Sequence, residues 1–425
     1  MKENFLHFIW QYQYFSKEGL KTCQGEPVNI IYPGNYNTNA GPDFINSKIK
    51  IGAMEWAGNL EIHYNASDWF SHGHEQNTAY DTVALHVVWK NNKEAVRKDG
   101  TIIPTIELKG RVDEKLIFNY SALVKTKQAI PCAASFKTVA DIKKVSMLDK
   151  ALMQRLERKA ADVKELLVKN NNDWEETAYQ CLAKSFGFKV NNEAFLSLSK
   201  SLPYKIIKKH SNSIIQLEAL LFGTAGLLDA PHKDEYPASL KNEFDFLQKK
   251  YSLDSKKLNE SEWKFLRVRP ANFPTTRIAE FAAVVNKVPH LFSLFIEEKD
   301  DAIMQALSSA VSSYWKNHYI FDKEVKRKPE RMGKISVNNI IINTIAPLLV
   351  CYGREIGEDY YIEKAVRLID SIPVEDNAII RQWKEIGLLV KNASDSQGAL
   401  ELYNNFCKTK SCLLCTIGAD IVSRS

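Results

Sequence analysis

The chain has 425 residues, 45% hydrophobic and 25% charged, with a net charge of +6. Such a composition excludes a disordered or fibrous chain, and the length exceeds what one core usually serves, so two or three domains are expected. Seven cysteines, an odd number without even spacing, argue against a disulfide framework. No stretch of about 18 apolar residues marks a membrane span, and the start MKENFLHFIWQYQYF does not read as a secretory leader. The expectation is a cytoplasmic protein with no membrane partner.

Charge is unevenly spread. Residues 1–130 hold 14 Lys/Arg and 14 Asp/Glu, so the whole excess falls in residues 131–425, whereas five of the nine histidines lie in residues 1–130. Chemistry is therefore expected in the first part and attraction for polyanions in the second.

Taken in order, Asn4 to Phe15 has helical spacing and predicts an N-terminal helix with Glu3 near its start. VNIIYPG predicts a short strand, and the Asn- and Gly-rich residues 34–41 predict a loop. SKIKIG and EWAGNLEIH, separated at Gly52 and Ala53, predict a β-hairpin with Asp43 just before its first strand and Glu61 and His63 near the end of its second. A period of two puts Glu61 and His63 on one face. SDWFSHGHEQNTAY reads as helix or loop, and TVALHVVW and TIIPTIELKG as further strands, making four or five strands of one mixed sheet. A linker near Lys125–Pro131 closes this region. From Val139 onward apolar residues recur near i, i+3, i+4 and i+7, with no convincing strand and no fixed repeat. The expected fold is α+β: a mixed-sheet domain over residues 1–130, then an α-helical domain over residues 131–425.

Asp43, Glu61, His63, Asp68, His72, His74 and His86 crowd into residues 39–89. Carboxylates take hard cations and neutral imidazoles ligate metal or accept protons, so this stretch suits a divalent-metal hydrolase. Pro42-Asp43 followed by Glu61-Ile62-His63 across a hairpin resembles the PD-(D/E)XK nuclease superfamily over residues 1–130. The resemblance implies that Asp43 and Glu61 bind Mg²⁺ or Mn²⁺, that His63 acts catalytically in the lysine's place, and that Glu3 is an additional acidic group. His63 lacks a permanent ammonium charge, which Lys48 or Lys50 on the neighbouring strand would supply. Trp69-Phe70-Ser71-His72-Gly73-His74 is similar to the aromatic-His-x-His stretch of very-short-patch mismatch-repair endonucleases, which implies that His72 or His74 assists or ligates. A second metal reading makes His63, His72, His74 and Asp68 a Zn²⁺ site. Beside these stand plainer readings: a Pro-Asp turn, satisfied core histidines, and His86 as a structural residue or one that orients a ligand.

Cys407, Cys412 and Cys415 have C-x4-C-x2-C spacing and need a fourth ligand, for which Cys132 is the candidate, to hold Zn²⁺ or an iron–sulfur cluster. The alternative is an apolar helix with cysteines as small hydrophobes. Arg267, Arg269 and Arg277 are candidate phosphate contacts, and the basic loop Lys323–Lys334 reads as a solvated face or a lesser contact. Walker-type phosphate loops and the Gly-x-Ser-x-Gly elbow are absent, which counts against ATP and serine-hydrolase chemistry.

Across the chain, NTNAGPDF, WAGNLEIHYNASDW, RPANFPTTRIAEFA and the final CLLCTIG resemble an uncharacterised bacterial domain-of-unknown-function family, which implies no activity. The functional expectation is a metal-dependent nuclease with nucleic acid as its partner, DNA ahead of RNA. A non-catalytic nucleic-acid-binding or scaffold protein on a decayed nuclease fold is the alternative.

Overall fold

Helix α1 (Glu3–Gln11) buries Phe5, Leu6, Phe8, Ile9 and Trp10, an apolar face that needs a sheet to cover it. Trp10 Nε1–H donates to Pro33 O at 2.9 Å, fixing the helix beside the end of β1 (Val28–Tyr32). In the computed structural model, which describes residues 2–297, 299–326 and 328–424, β1 is followed by the two-residue β2 (Asn35–Tyr36), β3 (Phe44–Ile51) and β4 (Met54–Asn65). Along β3 burial alternates, with Ser47, Ile49 and Ile51 inward and Asn46, Lys48 and Lys50 exposed. The β3–β4 turn is Gly52-Ala53, between paired Ile51 and Met54, and Gly52 has φ +60°, a conformation that glycine adopts without strain.

After the short helix α2 (Asp68–Ser71) come β5 (Val83–Lys90), β6 (Thr105–Glu107) and α3 (Glu114–Lys125). The strand order is β1-β3-β4-β5-β6, with β2 on β3. Pairing is antiparallel from β1 to β4 and parallel from β4 to β6. The fold is α+β, a mixed sheet followed by a mostly helical region, and the sheet has six strands rather than the expected four or five.

The chain divides into two compact units. The first holds Met1–Asp149, Asn377–Leu389 and Ala399–Ser425, and the second Lys150–Asp376 and Val390–Gly398. The C-terminal segments thus belong with the sheet rather than with the helices that precede them. Trp383 explains part of this: its ring lies 5.7 Å from that of Phe136 and its Nε1–H donates to Ala399 O at 3.1 Å. Asn119 on α3 likewise donates to Ile421 O and Arg424 O.

The second unit is helical, with a continuous core that includes Tyr179, Phe186, Leu220, Phe281 and Trp315. A two-residue strand Lys323–Glu324 pairs with His318–Ile320, an element that the helical periodicity gave no sign of. Lys334–Ile356 is one 23-residue helical run, long and apolar enough to cross a membrane, and 67% of its apolar window is buried within the protein.

Gly58 is where β4 closes on β5: a Cβ there would stand 2.8 Å from both Ala84 Cβ and Thr82 O. Gly58→Val is expected to destabilise the protein by about 1–3 kcal/mol, read as a lower urea midpoint. Gly333→Ala, whose added Cβ meets open space, should stay within about 0.5 kcal/mol of the parent. Equal midpoints for parent and Gly58→Val would show that the strand contact is slack.

Candidate metal centre

The Asn- and Gly-rich loop before β3 doubles back on itself. Asn37 donates its backbone N–H to Asp43 O at 2.8 Å and its side-chain amide to Pro42 O at 2.9 Å, so the Pro-Asp pair is pinned from its own loop. Asp43 and Glu61 then lock each other across the hairpin. Asp43 N–H donates to Glu61 Oε2 at 3.1 Å, and Ile62 N–H donates to Asp43 Oδ2 at 2.9 Å. Each carboxylate keeps its other oxygen for a ligand.

From that clamp the second Glu61 oxygen faces imidazoles. Glu61 Oε1 lies 3.2 Å from His74 Nε2 and 3.6 Å from His63 Nε2, and His63 Nε2 lies 3.1 Å from His72 Nδ1. His63, His72 and His74 each bring one ring nitrogen within 4.8 Å of the others, and among the described residues this triad is the group tight enough for a single ion. Adjacent donors about 2.0–2.1 Å from one ion stand about 3.0–3.4 Å apart in octahedral to tetrahedral geometry; His63 Nε2 and His72 Nδ1, 3.1 Å apart, fall in that range. His74 Nε2 has Glu61 Oε1 as its near polar neighbour.

The surroundings fix these rings. His74 stacks on Tyr80 at 3.8 Å, and Trp69 packs 5.3 Å from His74 and 5.6 Å from His86, its own Nε1–H donating to Val96 O. Parallel pairing sets Glu61 opposite His86, and His63 Nδ1 is 2.8 Å from His86 Nε2. Ligation of an ion through His63 Nε2 would require the tautomer in which Nδ1–H donates to His86, which would make His86 the group that orients that ring. Burial and the neighbouring imidazoles push His63 down to about 2, and burial pushes His86 down to about 3. Both rings are neutral at physiological pH.

α1 adds groups that the sequence reading missed or only glimpsed. His7 Nε2 lies 3.2 Å from Asp43 Oδ2, and Glu3 sits one turn earlier on the same side of the helix. Burial and then Asp43 push the Glu3 carboxyl up, with His7 and His72 opposing. The i, i+4 pair Glu3/His7 was the available signal. Burial, with Asp43 adding, also raises Glu61, so a cation is what would keep this acidic pair ionised. The site is accessible from the side of exposed His72 and Tyr36, where the Asp43 side chain is 22% exposed.

Other expectations are corrected. His63, held neutral with so low a pKa, is a poor proton acceptor. Lys48 and Lys50 pair with Ala57 and Glu55, four and six positions along β4 from Glu61. At about 3.3 Å per residue that is roughly 13–20 Å, so neither supplies the missing ammonium charge. Asp68 spends Oδ2 on Asn65 N–H at 2.9 Å and stands outside the histidine triad. Arg277 is 4% exposed and bonded to Glu280, Asn272 and Ser336; it faces the core of its unit rather than a phosphate. Arg267 and Arg269 are exposed. In the basic loop Lys328 is buried, donating to His318 O, and Arg331 donates to Ser308 O; Arg327 lies outside the described residues. Cys132, Cys407, Cys412 and Cys415 are all buried, free of disulfides and in the first unit.

Two outcomes follow from these burials. Because the folded pKa values of His63 and His86 lie below the model value of 6.5, the unfolded chain takes up protons first as pH falls. Their stability is complete above about 6.5 and lost progressively toward about 3 and 2, by up to about 1.4 kcal/mol per pH unit for each group. Chelator-treated protein should therefore melt at lower temperature at pH 5 than at pH 7, less so in His86→Phe. Glu61, raised in the folded state, loses stability as pH rises and opposes this slope, so Glu61→Gln should steepen it. A melting temperature flat from pH 7 to 5 in all three proteins would remove the buried neutral pair. Arg277→Ala, which strands the buried Glu280, is expected to lose about 3–5 kcal/mol in urea unfolding, against under about 0.5 for Arg267→Ala or Arg269→Ala.

Neither the curated proteins nor the solved structures contain a match to the chain. A family model does match, over residues 3–378, a span that includes every residue of the histidine and carboxylate centre. The chain belongs to the family described as "Protein of unknown function (DUF2851)".

Proposed function

We propose that this protein is a metal-dependent hydrolase that cleaves phosphodiester bonds of nucleic acid. The observation that carries the reading is the convergence of His63, His72, His74 and Glu61 beside Asp43. Three imidazoles with an open position are the donor set of a catalytic transition-metal site. Imidazole-rich sites favour Zn²⁺ and its neighbours over Mg²⁺, so the ion expected first is Zn²⁺, with Mn²⁺ next.

A bound ion would polarise a phosphoryl oxygen and lower the pKa of its water. The remaining steps belong to this chain. His63, oriented by His86, holds the ion with His72 and His74. Glu61 Oε1, at the border of that triad, accepts the water proton, and Asp43 with His7 manages the proton at the leaving oxygen. The PD-(D/E)XK resemblance supports phosphodiesters as the bond class: Asp43 immediately precedes β3 and Glu61 lies on its hairpin partner β4, as the motif implies. DNA is the substrate tried first. Exposed Arg267 and Arg269 are the arginines free to meet a phosphate backbone.

The test is cleavage of single- and double-stranded DNA and RNA by the full chain loaded with Zn²⁺, Mn²⁺ or Mg²⁺, beside Asp43→Ala, Glu61→Ala and His72→Ala. Cleavage that each substitution lowers by about 100-fold or more, with Zn²⁺ or Mn²⁺ above Mg²⁺, is the expected result. A folded, metal-loaded parent that cuts none of them would transfer the site to a binding protein on a decayed nuclease fold.

A further inference from the structure

The basic loop Lys323–Lys334 ends at a cavity of about 570 Å³ that lies wholly within the second unit, inside the roughly 300–1,000 Å³ of small-molecule sites. Separate elements wall it. Lys287 closes the helix Pro274–Lys287, Met304 lies on the helix Asp300–Leu307, Arg331 and Met332 come from the loop, and Lys334 and Asn338 from the opening turns of the run Lys334–Ile356. The lining has three cations, Lys287, Arg331 and Lys334, and among the described residues no acidic side chain.

Those cations are available. All three are exposed, and among the described residues the side chains of Lys287 and Lys334 have no hydrogen-bond or ion-pair partner. Arg331 commits Nη1 to Ser308 O at 2.8 Å, which holds the guanidinium at the wall and leaves its remaining donors for a ligand. The loop itself is fixed there, because Val311 N–H donates to Glu330 O at 3.0 Å and Ala310 bridges to Arg331.

The rest of the lining is different in kind. Met332 is buried and Met304 half-buried, and thioethers pack well against a flat ring. Asn338 has its Oδ1 buried without a hydrogen-bond partner. A buried acceptor costs free energy until a donor meets it, and a side-chain amide is suited to the edge of a nucleobase. An adjoining cavity of about 600 Å³ shares Met304, Lys334 and Asn338, but it mixes its cations with Glu297, Asp300 and Asp301. Charges offset one another there, so a dianion is drawn to the cavity without acids.

We infer that this cavity binds a nucleoside monophosphate. The phosphate, close to doubly charged at neutral pH, meets Lys287, Arg331 and Lys334 through charge-assisted bonds. The base packs on Met304 and Met332 and donates an N–H to Asn338 Oδ1. Longer phosphate chains fit less well. They travel with Mg²⁺, which wants carboxylates nearby, and the loop is not the glycine-rich kind whose backbone N–H groups wrap a polyphosphate. The inference does not rest on the hydrolase reading.

The test is calorimetric titration of the chelator-treated full chain with the common ribonucleoside monophosphates, adenosine, inorganic phosphate and a short phosphorylated oligonucleotide. Saturable binding of at least one monophosphate, about tenfold or more tighter than adenosine or inorganic phosphate, is expected. Lys287→Ala and Lys334→Ala should each weaken it by about tenfold, and Asn338→Leu should weaken the nucleotide but not inorganic phosphate. Lys299→Ala in the mixed cavity and His72→Ala in the metal centre should each change it by less than about twofold. A larger loss in Lys299→Ala or His72→Ala overturns the assignment by moving the nucleotide to that other place. Inorganic phosphate bound as tightly as every nucleotide overturns it in favour of a bare anion site, and uptake of the oligonucleotide alone in favour of a strand contact. No heat with any of them, from a protein that melts cooperatively, returns the three cations to a solvated rim.

Discussion

The reciprocal lock between Asp43 and Glu61 is the constraint on which the rest of the centre depends. Each carboxylate accepts a backbone N–H from the other's strand, at 3.1 and 2.9 Å. Charge-assisted bonds of this kind are about twice as strong as neutral ones, and here they also set direction. With Glu61 Oε2 committed to the backbone, Oε1 faces the imidazoles, whereas Asp43 Oδ2 takes the Ile62 N–H and lies beside His7 with the same oxygen. The clamp holds the hairpin together next to a β3–β4 register shift, where pairing passes from Phe44–Leu60 to Ser47–Gly58. A bulge beside a site is a common means of aiming a side chain.

Parallel pairing of β4 with β5 then supplies what the hairpin lacks. It sets His86 beside Glu61 and, through His63 Nδ1, fixes which nitrogen of His63 is free. Gly58 permits that approach. The segment between the two strands brings His72 and His74 beside His63, and Trp69 and Tyr80 wedge His74 there. Backbone pairing is thus the source of the site's geometry, and aromatic packing is what keeps its rings from turning.

Much of this was legible from residues 39–89. Alternation placed Glu61 and His63 on one face, Gly52-Ala53 marked the turn, and H-x-H marked a ligand pair. What escaped was whatever depends on contacts between distant segments. His7 lies 36 residues before Asp43, and only the packing of α1 brings it near. Arg277 has the same local sequence whether it faces solvent or core; its helix Pro274–Lys287 is buried almost all round, which the hydrophobic period of a single segment does not report. The return of the C-terminal segments to the sheet unit rests on Trp383 and Asn119, residues with no local signature of that role. His63 could be placed by alternation, but its protonation follows from burial and four neighbouring rings.

Where the proposed PD-(D/E)XK resemblance would put a lysine, the chain has His63, and its neighbours suit a neutral ring. A buried ammonium would bring permanent charge and heavy desolvation. A buried imidazole avoids both by staying neutral, as the depressed values for His63 and His86 express. The positive charge that phosphate chemistry needs must then come from elsewhere, and Lys48 and Lys50 are too far along the strand to bring it. Three rings around one point, with the raised Glu61 and Glu3 carboxyls near them, make a site crowded with ligating groups. The transition-metal cation proposed for this site would draw on the His74 nitrogen, favour the ionised form of Glu61 and supply positive charge. On this reading the histidine moves the positive charge from a side chain to an ion, and the activity moves with it.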